Sequence, residues 1–576
     1  MGDLIMILLF KYLSRDLIKK KSMISVLFLF TVFISFMYFF VHFSIDKNWL
    51  ILNEILEQNG NLSADEAKYY TALQNNQILI RNITVAMMSI FSIILFMFMK
   101  NFIHKNETNI GHILSMGFLE HDVIIALVFA TACFSIIGSL VGLVLGYFGS
   151  SILMNANMET YLINGIVKGI NIKTLLIGTL LTTAVFCVVT YATGIGMGRK
   201  DVALMIKHMD KKEPHPGLIE ALVSRFPIKD KFKFKLTMKN ISAVLFIVVA
   251  VVTFNIMFVL SVSLFFSGKK IIETQTTNRD YSYDVSYNNY MTNNNQSETE
   301  DIYYLKEEGT IELEGDTLQY NIVGLDHTSS LFQLVDKNNK AINIEEGIIL
   351  NPELEENYGL KVGDEIHLIV AGEAYAIPVV ASAVNADLKT IYIPKQQLAK
   401  MLSQNSMSYN GVLTNRRLED GVVTTFEDKI ATIQRGLTSN KASAVINQSI
   451  GVITGCLLIY LALLIGLNNN MKSILIFDLL GYNNREVNKV LLNPHMILIN
   501  IFFWITLPIG VYVARGIQIM TSIQTGDYMP FQINIVTVAY MLFILNLLCF
   551  LVRALFAIKI KHIIYAERQA EFLQEW

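Results

Sequence analysis

The sequence predicts an α-helical membrane protein that carries one folded domain outside the bilayer. Of its 576 residues, 53% are hydrophobic and only 16% are charged, a composition typical of chains that cross membranes repeatedly. The hydrophobic residues form eight segments, each long enough to cross about 30 Å of hydrocarbon as a helix. We therefore expect a membrane α-helical bundle of eight transmembrane helices in two four-helix units, plus an α+β extracellular domain between spans five and six.

The predicted spans follow from these hydrophobic segments, which cover residues 23–44, 80–101, 122–150, 172–197, 240–267, 447–468, 490–516 and 533–557. The first segment is too long for the apolar core of a signal peptide, and no small-residue cleavage motif follows it. We interpret it as an uncleaved span. The chain then divides into an N-terminal amphipathic helix, a four-span unit, a basic linker, span five, an outer domain, and the remaining spans with a tail: 1–22, 23–197, 198–239, 240–267, 268–446 and 447–576.

Lysines and arginines predict the orientation of the chain. They concentrate before span one, in the linker 198–239 and in the C-terminal tail, which all lie on the same side when there are eight spans. Because such residues mark cytoplasmic loops, we expect a multi-pass protein of the cell membrane with both termini in the cytoplasm. The outer side then holds a loop at 45–79 and the domain at 268–446.

Alternating polar and apolar residues predict strands in the outer domain. Residues 309–316 and 318–323 read as paired strands, and 365–380 as a hairpin that turns at 371–373. A further strand is expected at Ile391–Pro394, followed by a helix at Lys395–Leu402.

The outer domain also differs from the rest of the chain in charge. Residues 268–445 contain 26 acidic and 15 basic side chains, a net of 11 negative charges. This charge favours cationic ligands by long-range attraction, although a well-solvated domain without a ligand has the same balance. The asparagine-rich run 287–300 is expected to be a flexible stalk or loop.

Two segments that lie 364 residues apart share one pattern. Each is an apolar helical run that ends in the same arrangement of residues: Gly117, Phe118, Asp122 and Val123 in the first, and Gly481, Tyr482, Glu486 and Val487 in the second. Both lie between long hydrophobic segments and face the cytoplasm in the predicted orientation. We predict a duplicated amphipathic helix, at 106–121 and 468–486, that docks a cytoplasmic partner. The alternative is an interfacial helix that only rests on lipid.

This pattern resembles the signature of FtsX-like permeases, the membrane subunits of MacB-type ABC transporters. Residues 347–366 also look like the strand–helix–Leu-x-Val-Gly-Asp segment of that family. The layout is similar to Bce-type permeases for antimicrobial-peptide resistance in Gram-positive bacteria, but with eight spans instead of ten. The resemblance implies an ATPase-docking surface made of Ile113, Met116, Gly117, Phe118, Asp122, Phe477, Leu480, Gly481, Tyr482 and Glu486.

The resemblance further implies a permease that works by mechanotransmission. Closure of two ATPase copies in the cytoplasm would push on both docking helices, and the spans would carry this movement to the outer domain. The implied ligand is an antimicrobial peptide, cationic or amphipathic, or a peptide–lipid complex, for resistance or export. A sensor histidine kinase is a further candidate partner beside the lipid membrane, whereas no nucleic-acid partner is expected.

No motif in the chain indicates an enzyme. Residues 194–200 contain three glycines but lack the Gly-Lys-[Ser/Thr] of a phosphate-binding loop, so ATP and magnesium are expected in a separate subunit. We expect no cofactor or metal in this chain. The predicted spans carry no aspartate or glutamate deep inside them, which argues against an ion-driven secondary transporter.

Two other functions remain open, the first within the same superfamily and the second of another class. One is an extractor of lipoproteins or lipids, and the other is a non-transporting regulator of a cell-wall hydrolase or sensor kinase. The first would bind acylated ligands in the outer domain, and the second would form a stable complex without displacing a ligand.

Glycines recur every four residues within two predicted spans. Small residues at this spacing allow helices to approach closely in membranes. We therefore predict helix packing at Gly138, Gly142, Gly146, Gly451 and Gly455. For the same reason the amides within spans are expected to link helices by hydrogen bonds, at Asn255, Asn500 and Asn546.

Overall fold

The computed structural model of the protein describes residues 21–161, 163, 165–195, 241–292, 300–313, 316–326, 330–344, 347–418 and 420–574. The linker predicted at 198–239, and all but the last two residues of the helix predicted at 1–22, lie outside these ranges. The chain forms two compact units. The first unit comprises Met1–Leu260, Ile446–Ala514 and Asn534–Trp576, and the second comprises Ser261–Val445 and Arg515–Ile533.

The long helices lie at the two ends of the chain, and the strands lie between them. In chain order the helices are α1 (Lys21–Asn59), α2 (Ala64–Lys105), α3 (Glu107–Ser115), α4 (Glu120–Gly149), α5 (Ser151–Tyr161), α6 (Ile172–Ile195), α7 (Ile241–Thr276), α8 (Pro352–Tyr358), α9 (Lys395–Met401), α10 (Phe426–Asn469), α11 (Met471–Leu479), α12 (Asn484–Leu491), α13 (Asn493–Thr525) and α14 (Ile535–Gln574). The strands are β1 (Tyr283–Thr292), β2 (Ile302–Leu313), β3 (Asp316–Leu325), β4 (Ile348–Leu350), β5 (Glu365–Val370), β6 (Glu373–Ser382), β7 (Thr390–Pro394), β8 (Ser408–Thr414) and β9 (Val422–Thr425).

Seven helical stretches of the described chain are long and apolar enough to cross a membrane: Phe28–Asn59, Glu66–His104, Glu120–Met158, Ile172–Ile195, Ala243–Thr276, Asn484–Thr525 and Ile535–His562. The sixth predicted span gives only a shorter apolar stretch, Gly451–Leu467. It belongs to the 44-residue helix α10, whose N-terminal half carries charges such as Lys429, Arg435 and Lys441. The protein is thus a multi-pass helical membrane protein, and the count of eight spans stays a prediction.

In the N-terminal half of the first unit, α4 packs against both α1 and α6. The glycines of α4 lie at the contact with α1. A Cβ atom added at Gly142 would lie 2.7 Å from the backbone nitrogen of Phe36, and one at Gly146 would lie 2.8 Å from Cβ of Phe39. A Cβ at Gly138 would overlap the Thr31 hydroxyl. The absence of side chains at these three positions lets the two helices pack backbone against backbone.

The segment 45–79, expected as an outer loop between spans one and two, is a helical hairpin. Helices α1 and α2 continue through it and are interrupted only at residues 60–63. Ser63 starts α2 with a capping box, in which its backbone N–H donates to Glu66 Oε2 at 2.9 Å. The ring of Trp49 stacks on that of Tyr70 with centroids 4.4 Å apart. The polar residues of this segment make it look like a loop in the sequence. Aromatic packing and the helix cap stabilise the two helices.

The helical continuation brings a buried carboxylate into the bundle. Asp46 lies two residues beyond the predicted end of span one, and its Oδ1 is 2.9 Å from Nδ1 of His42 on the same helix face. Its Oδ2 accepts a hydrogen bond from the backbone N–H of Asn171 at 2.9 Å. Asp46 lies outside the predicted span 23–44, so the expectation of no acid deep within the predicted spans is not affected, and both carboxylate oxygens have partners.

The C-terminal half of the first unit contains the second set of apolar helices. A Cβ atom added at Gly451 would lie 3.1 Å from Met257 Cβ, and one at Gly455 would lie 3.0 Å from Phe254 Cδ2. These two glycines therefore lie where α10 approaches α7.

Amides link helices in this half of the bundle. Asn255 Nδ2 donates to Thr506 Oγ1 at 3.0 Å, so α7 is bonded to α13. Asn500 Nδ2 donates to Asn546 Oδ1 at 3.0 Å, so α13 is bonded to α14. Asn255, Asn500 and Asn546 thus take part in hydrogen bonds between helices, as expected.

The second unit is built on a mixed nine-stranded sheet. Its order is β3-β7-β4-β6-β5-β2-β8-β1-β9, and an additional β2–β3 pairing closes the first six strands into a ring. Apolar side chains such as Ile311, Ile322, Ile366 and Ile391 fill the interior of this ring. Strands β8, β1 and β9 extend from the N-terminal end of β2, where Ile302 pairs with Leu413.

Most of the predicted strands are present. Strands β2 and β3 are paired up to Leu313 with Asp316, and β5–β6 turns at residues 371–372. Strand β7 leads directly into α9, as expected. Of the run 287–300 that was expected to be a stalk or loop, residues 287–292 belong to β1, and residues 293–299 lie outside the described ranges.

Residues 515–533, expected as a span end and a short outer connection, belong to the second unit. There, Asn357 Nδ2 donates to Ser522 Oγ at 2.9 Å. The predicted boundaries 268–446 therefore omit one segment of this unit.

Candidate docking helices and outer charge cluster

The first candidate docking element is the short helix α3 with the turn that follows it. A bend at Asn106 (φ −107°, ψ 14°) precedes α3, and Asn106 Nδ2 donates to the carbonyl of Phe102 at 2.9 Å. Gly117 ends the element at φ +97°, and its N–H donates to the carbonyl of Leu114 at 3.0 Å. The next helix then starts with the backbone N–H of Leu119 donating to Asp122 Oδ2 at 3.1 Å.

The second candidate, α11 with its turn, follows the same path. Asn470 has φ −105° and ψ 15°, and its Nδ2 donates to the carbonyl of Gly466 at 2.9 Å. Gly481 has φ +83°, and its N–H donates to the carbonyl of Asp478 at 2.9 Å. The N–H of Asn483 then donates to Glu486 Oε2 at 2.9 Å. The two copies thus share an asparagine bend, a glycine with positive φ and an acid that accepts a hydrogen bond from the backbone, all at the same spacing.

The asparagine is a residue that the sequence analysis missed. Asn106 and Asn470 each lie 11 positions before the glycine of their copy, and the side chain of each bonds a carbonyl at the end of the preceding long helix. Aligning the two copies beyond their apolar core would have shown this spacing. The acids Asp122 and Glu486 lie in the first turn of the following helix, where the helix dipole favours a negative charge.

The predicted helix bounds were too long. The ranges 106–121 and 468–486 each contain the glycine, but the helices end at Ser115 and Leu479. A positive φ at Gly117 and Gly481 breaks the helical path, and the chain re-enters a helix within a few residues.

The first copy has an inner and an outer face. Ile110 and Ile113 are buried against residues of the adjoining long helices such as Phe102 and Leu127, and Phe118 packs partly against the same cluster. Outside, Met116 is 78% exposed and Leu119 is 68% exposed. Of the predicted docking residues, Ile113 therefore holds the element in the unit, whereas Met116 faces outward.

The second copy exposes a larger apolar surface. Ile474 and Val487 are buried, and the Phe477 ring lies edge-on to the Tyr482 ring with centroids 5.4 Å apart. Leu479 is 73% exposed and Leu480 is 68% exposed, and Ile476 and Tyr482 are exposed beside them. Exposed aliphatic clusters of this kind mark protein or membrane contact sites.

Both copies lie in segments that match a known family. The FtsX-like permease C-terminal domain matches residues 82–200 and 449–563. Each FtsX-like segment begins inside a long helix, continues through one short helix and its glycine turn, and ends after two further long apolar stretches. FtsX-like permeases are membrane components of ABC transporters that typically pair with a cytoplasmic ABC ATPase and are not themselves the ATPase. A comparison with curated proteins found no match.

The second unit, which lies between the FtsX-like segments in sequence, contains a buried charge cluster. Arg279 follows the end of α7, and its side chain is 1% exposed. Its Nη1 lies 2.9 Å from Asp387 Oδ1, and its Nη2 donates to the carbonyl of Asn385 at 2.7 Å. Lys429, in the first turn of α10, lies 3.1 Å from the same carboxylate oxygen. Asp387 thus holds the ends of two long helices to the β6–β7 connection.

The electrostatics of this cluster favour its charged form. Burial alone would raise the pKa of Asp387, but Arg279 and Lys429 outweigh it and hold that pKa well below the ordinary range. Burial opposes the charge of Lys429 as well, yet Asp387 keeps the pKa of Lys429 above its usual value. The three groups therefore stay ionised at neutral pH. Among the described residues, no group of three histidine, cysteine, aspartate or glutamate side chains is placed to hold a metal ion.

Proposed function

We propose that this chain is the permease subunit of an ATP-driven ABC transporter, and that α3 and α11 each dock one copy of a cytoplasmic ATPase. The observation that carries the proposal is the repeated Asn–helix–Gly–acid element, one in each FtsX-like segment. An element that only rested on lipid would not need a fixed bend before it and a fixed break after it. Two such elements in one chain provide two contacts, which matches a dimeric motor.

The proposed mechanism is mechanotransmission. A rigid short helix, held by an asparagine bond at one end and a glycine turn at the other, passes displacement to the long helices that flank it. In the C-terminal half, α10 is one of these long helices, and it extends from Asn469 back to Phe426 beside the charge cluster. Movement of α11 would therefore reach a residue, Lys429, that is ion-paired in the second unit.

The proposed ligand is a cationic or amphipathic peptide, alone or with a lipid, that is removed from the outer side of the membrane. Support comes from the net of 11 negative charges in residues 268–445, which would attract such a ligand by long-range electrostatics.

The association is tested by native mass spectrometry of the tagged full chain, purified in mild detergent from membranes of its own cells. We expect two ABC ATPase copies per chain, together with ATP hydrolysis in the complex. A chain that is recovered without an ATPase, or with a single copy, would contradict the docking proposal.

The ligand is tested in cells that lack the chain. We expect higher sensitivity to cationic peptides, restored by the full chain but not when the partner ATPase cannot hydrolyse ATP. Unchanged sensitivity together with accumulation of acylated proteins in the membrane would favour the lipid-extractor function instead.

A further inference from the structure

The second unit contains a cavity of about 410 Å³ beside the charge cluster. This volume lies in the range of pockets that bind small molecules. Its lining mixes polar residues with aromatic and aliphatic ones, which include Tyr281, Tyr304, Phe332 and Val323. Five charged side chains line it as well: Arg279, Asp284, Lys306, Asp387 and Lys429. Apolar side chains that cover the body of a ligand and charged groups that orient it are both features of ligand sites.

The sign of the charge in the cavity is opposite to that of its surroundings. Three of the charged lining residues are basic and two are acidic, whereas residues 268–445 as a whole carry a net of 11 negative charges. A local positive charge inside an acidic region is not explained by the peptide ligand proposed above. It indicates a ligand of the other sign.

Both carboxylates that line the cavity have partners within the protein. Asp387 is paired with both Arg279 and Lys429, and it accepts from the Tyr392 hydroxyl at 3.0 Å. Asp284 accepts from the Tyr304 hydroxyl at 2.6 Å.

The two lysines that line the cavity still have N–H donors for a ligand. The Lys429 ammonium has three donors, of which Asp387 and the Tyr281 hydroxyl, at 3.3 Å, take two. Lys306 is exposed and lines the same cavity. Its charge acts on Asp284, but no salt bridge within 4 Å is present for it among the described residues. The cavity therefore offers two lysine ammonium groups to a ligand.

We propose that this cavity binds a small organic anion, a carboxylate or a phosphate monoester on an aromatic or aliphatic body, through Lys306 and Lys429. The phenol and phenyl rings would cover the apolar part of the ligand. Because Lys429 also pairs with Asp387, a bound anion would share this lysine with the residue that joins α7 and α10. The inference does not depend on the ATPase or on the peptide ligand.

The test uses the full chain in phosphatidylcholine nanodiscs, without an ATPase, and ligand-observed NMR titrations with three probes. N-acetyl-L-tryptophan supplies a carboxylate on an aromatic body, phenyl phosphate supplies a phosphate monoester, and N-acetyl-L-tryptophanamide is the uncharged match of the first. We expect saturable binding of at least one anion and at least tenfold weaker binding of the amide. The stronger anion identifies which of the two groups the site prefers.

Variants locate the site. Lys306→Gln and Lys429→Gln should each weaken anion binding about tenfold, because each removes a charged hydrogen-bond donor. Lys400→Gln, at an exposed position of α9, is the matched control and should bind like the original chain. Lys306 is on the surface, so its variant keeps the fold even if Lys429→Gln does not. Equal binding of the amide, no effect of Lys306→Gln, or no saturable binding of either anion would overturn the proposal.

Discussion

The two short helices have the same backbone path but different exposed side chains. Both begin after an asparagine bend and end at a glycine with positive φ. At equivalent outward positions, however, His112 and Ser115 of the first copy are replaced by Ile476 and Leu479 in the second. The positions that set the path are kept, and the positions that would meet a partner have diverged. We infer that the two copies transmit movement in the same way but bind the ATPase with unequal affinity, and that the second copy binds it more strongly.

The largest effect is expected from placing charge on the outward faces. Leu480→Asp should weaken ATPase association by about 2 kcal/mol or more, the range of a central interface residue, and Met116→Asp, its equivalent in the first copy, should weaken it less. Co-purification of the ATPase at several salt concentrations measures this difference. Glu120→Gln on the neighbouring helix is a control for nonspecific effects. Equal losses from the two aspartate variants would contradict the inferred inequality between the copies.

Replacing the turn glycines should act on the backbone and not on the contact surface. A Cβ atom at Gly117 or Gly481 would meet nothing within 4 Å, so any effect must come from the positive φ. Valine should cost about 1–2 kcal/mol locally and uncouple ATP hydrolysis from the activity of the permease in both copies alike. Asparagine tolerates a positive φ better than valine does, so the asparagine variants are the milder control. If valine and asparagine behaved identically in a coupled ATPase assay, the backbone explanation would fail.

Exchanging the outward faces should have an intermediate effect. The double variant Ile476→His/Leu479→Ser gives the second copy the surface of the first and should weaken ATPase binding by about 1 kcal/mol, because apolar area is lost from the contact. The reciprocal variant His112→Ile/Ser115→Leu should strengthen it. Affinity measured by titrating purified ATPase onto each variant gives both numbers. If the first double variant strengthened ATPase binding and the reciprocal one weakened it, the inference that the second copy binds more strongly would be wrong.

The smallest effect is expected at the acids. Asp122→Asn and Glu486→Gln keep the shape of the side chain but remove the charge that faces a helix N-terminus, at a cost of about 0.3–1 kcal/mol each. Hydrogen exchange of the backbone amides of Leu119 and Asn483 should quicken in the matching variant and stay unchanged in the other copy. A large loss of ATPase binding would instead mean that the acids touch the partner directly.

Elements with a strong local signal were predictable. The long apolar helices, the β5–β6 hairpin and the strand–helix step at residues 390–401 all appear in the structure near their expected positions, because periodic apolar residues and turn residues act within a few positions of each other. The duplicated glycine–aromatic–acid pattern was also visible, since glycine with positive φ is a local requirement.

Elements that depend on distant contacts were not predictable. The helical hairpin at 45–79 looks polar in sequence, and its order comes from packing such as that of Trp49 on Tyr70. The same holds for strands β1, β8 and β9, whose pairing joins residues more than 100 positions apart, such as Val285 with Val412. The cost of closing such long loops is recovered only when the whole sheet forms.

The sequence alone therefore determined the class of the protein, most of its long apolar helices and the place of the two repeated helices, because hydrophobic length and local turn chemistry depend on consecutive residues. Only the tertiary structure decided which face of each short helix points outward, and which charges meet at Asp387. Burial and ion pairing depend on residues that are neighbours in space, and Arg279, Asp387 and Lys429 are far apart in the sequence.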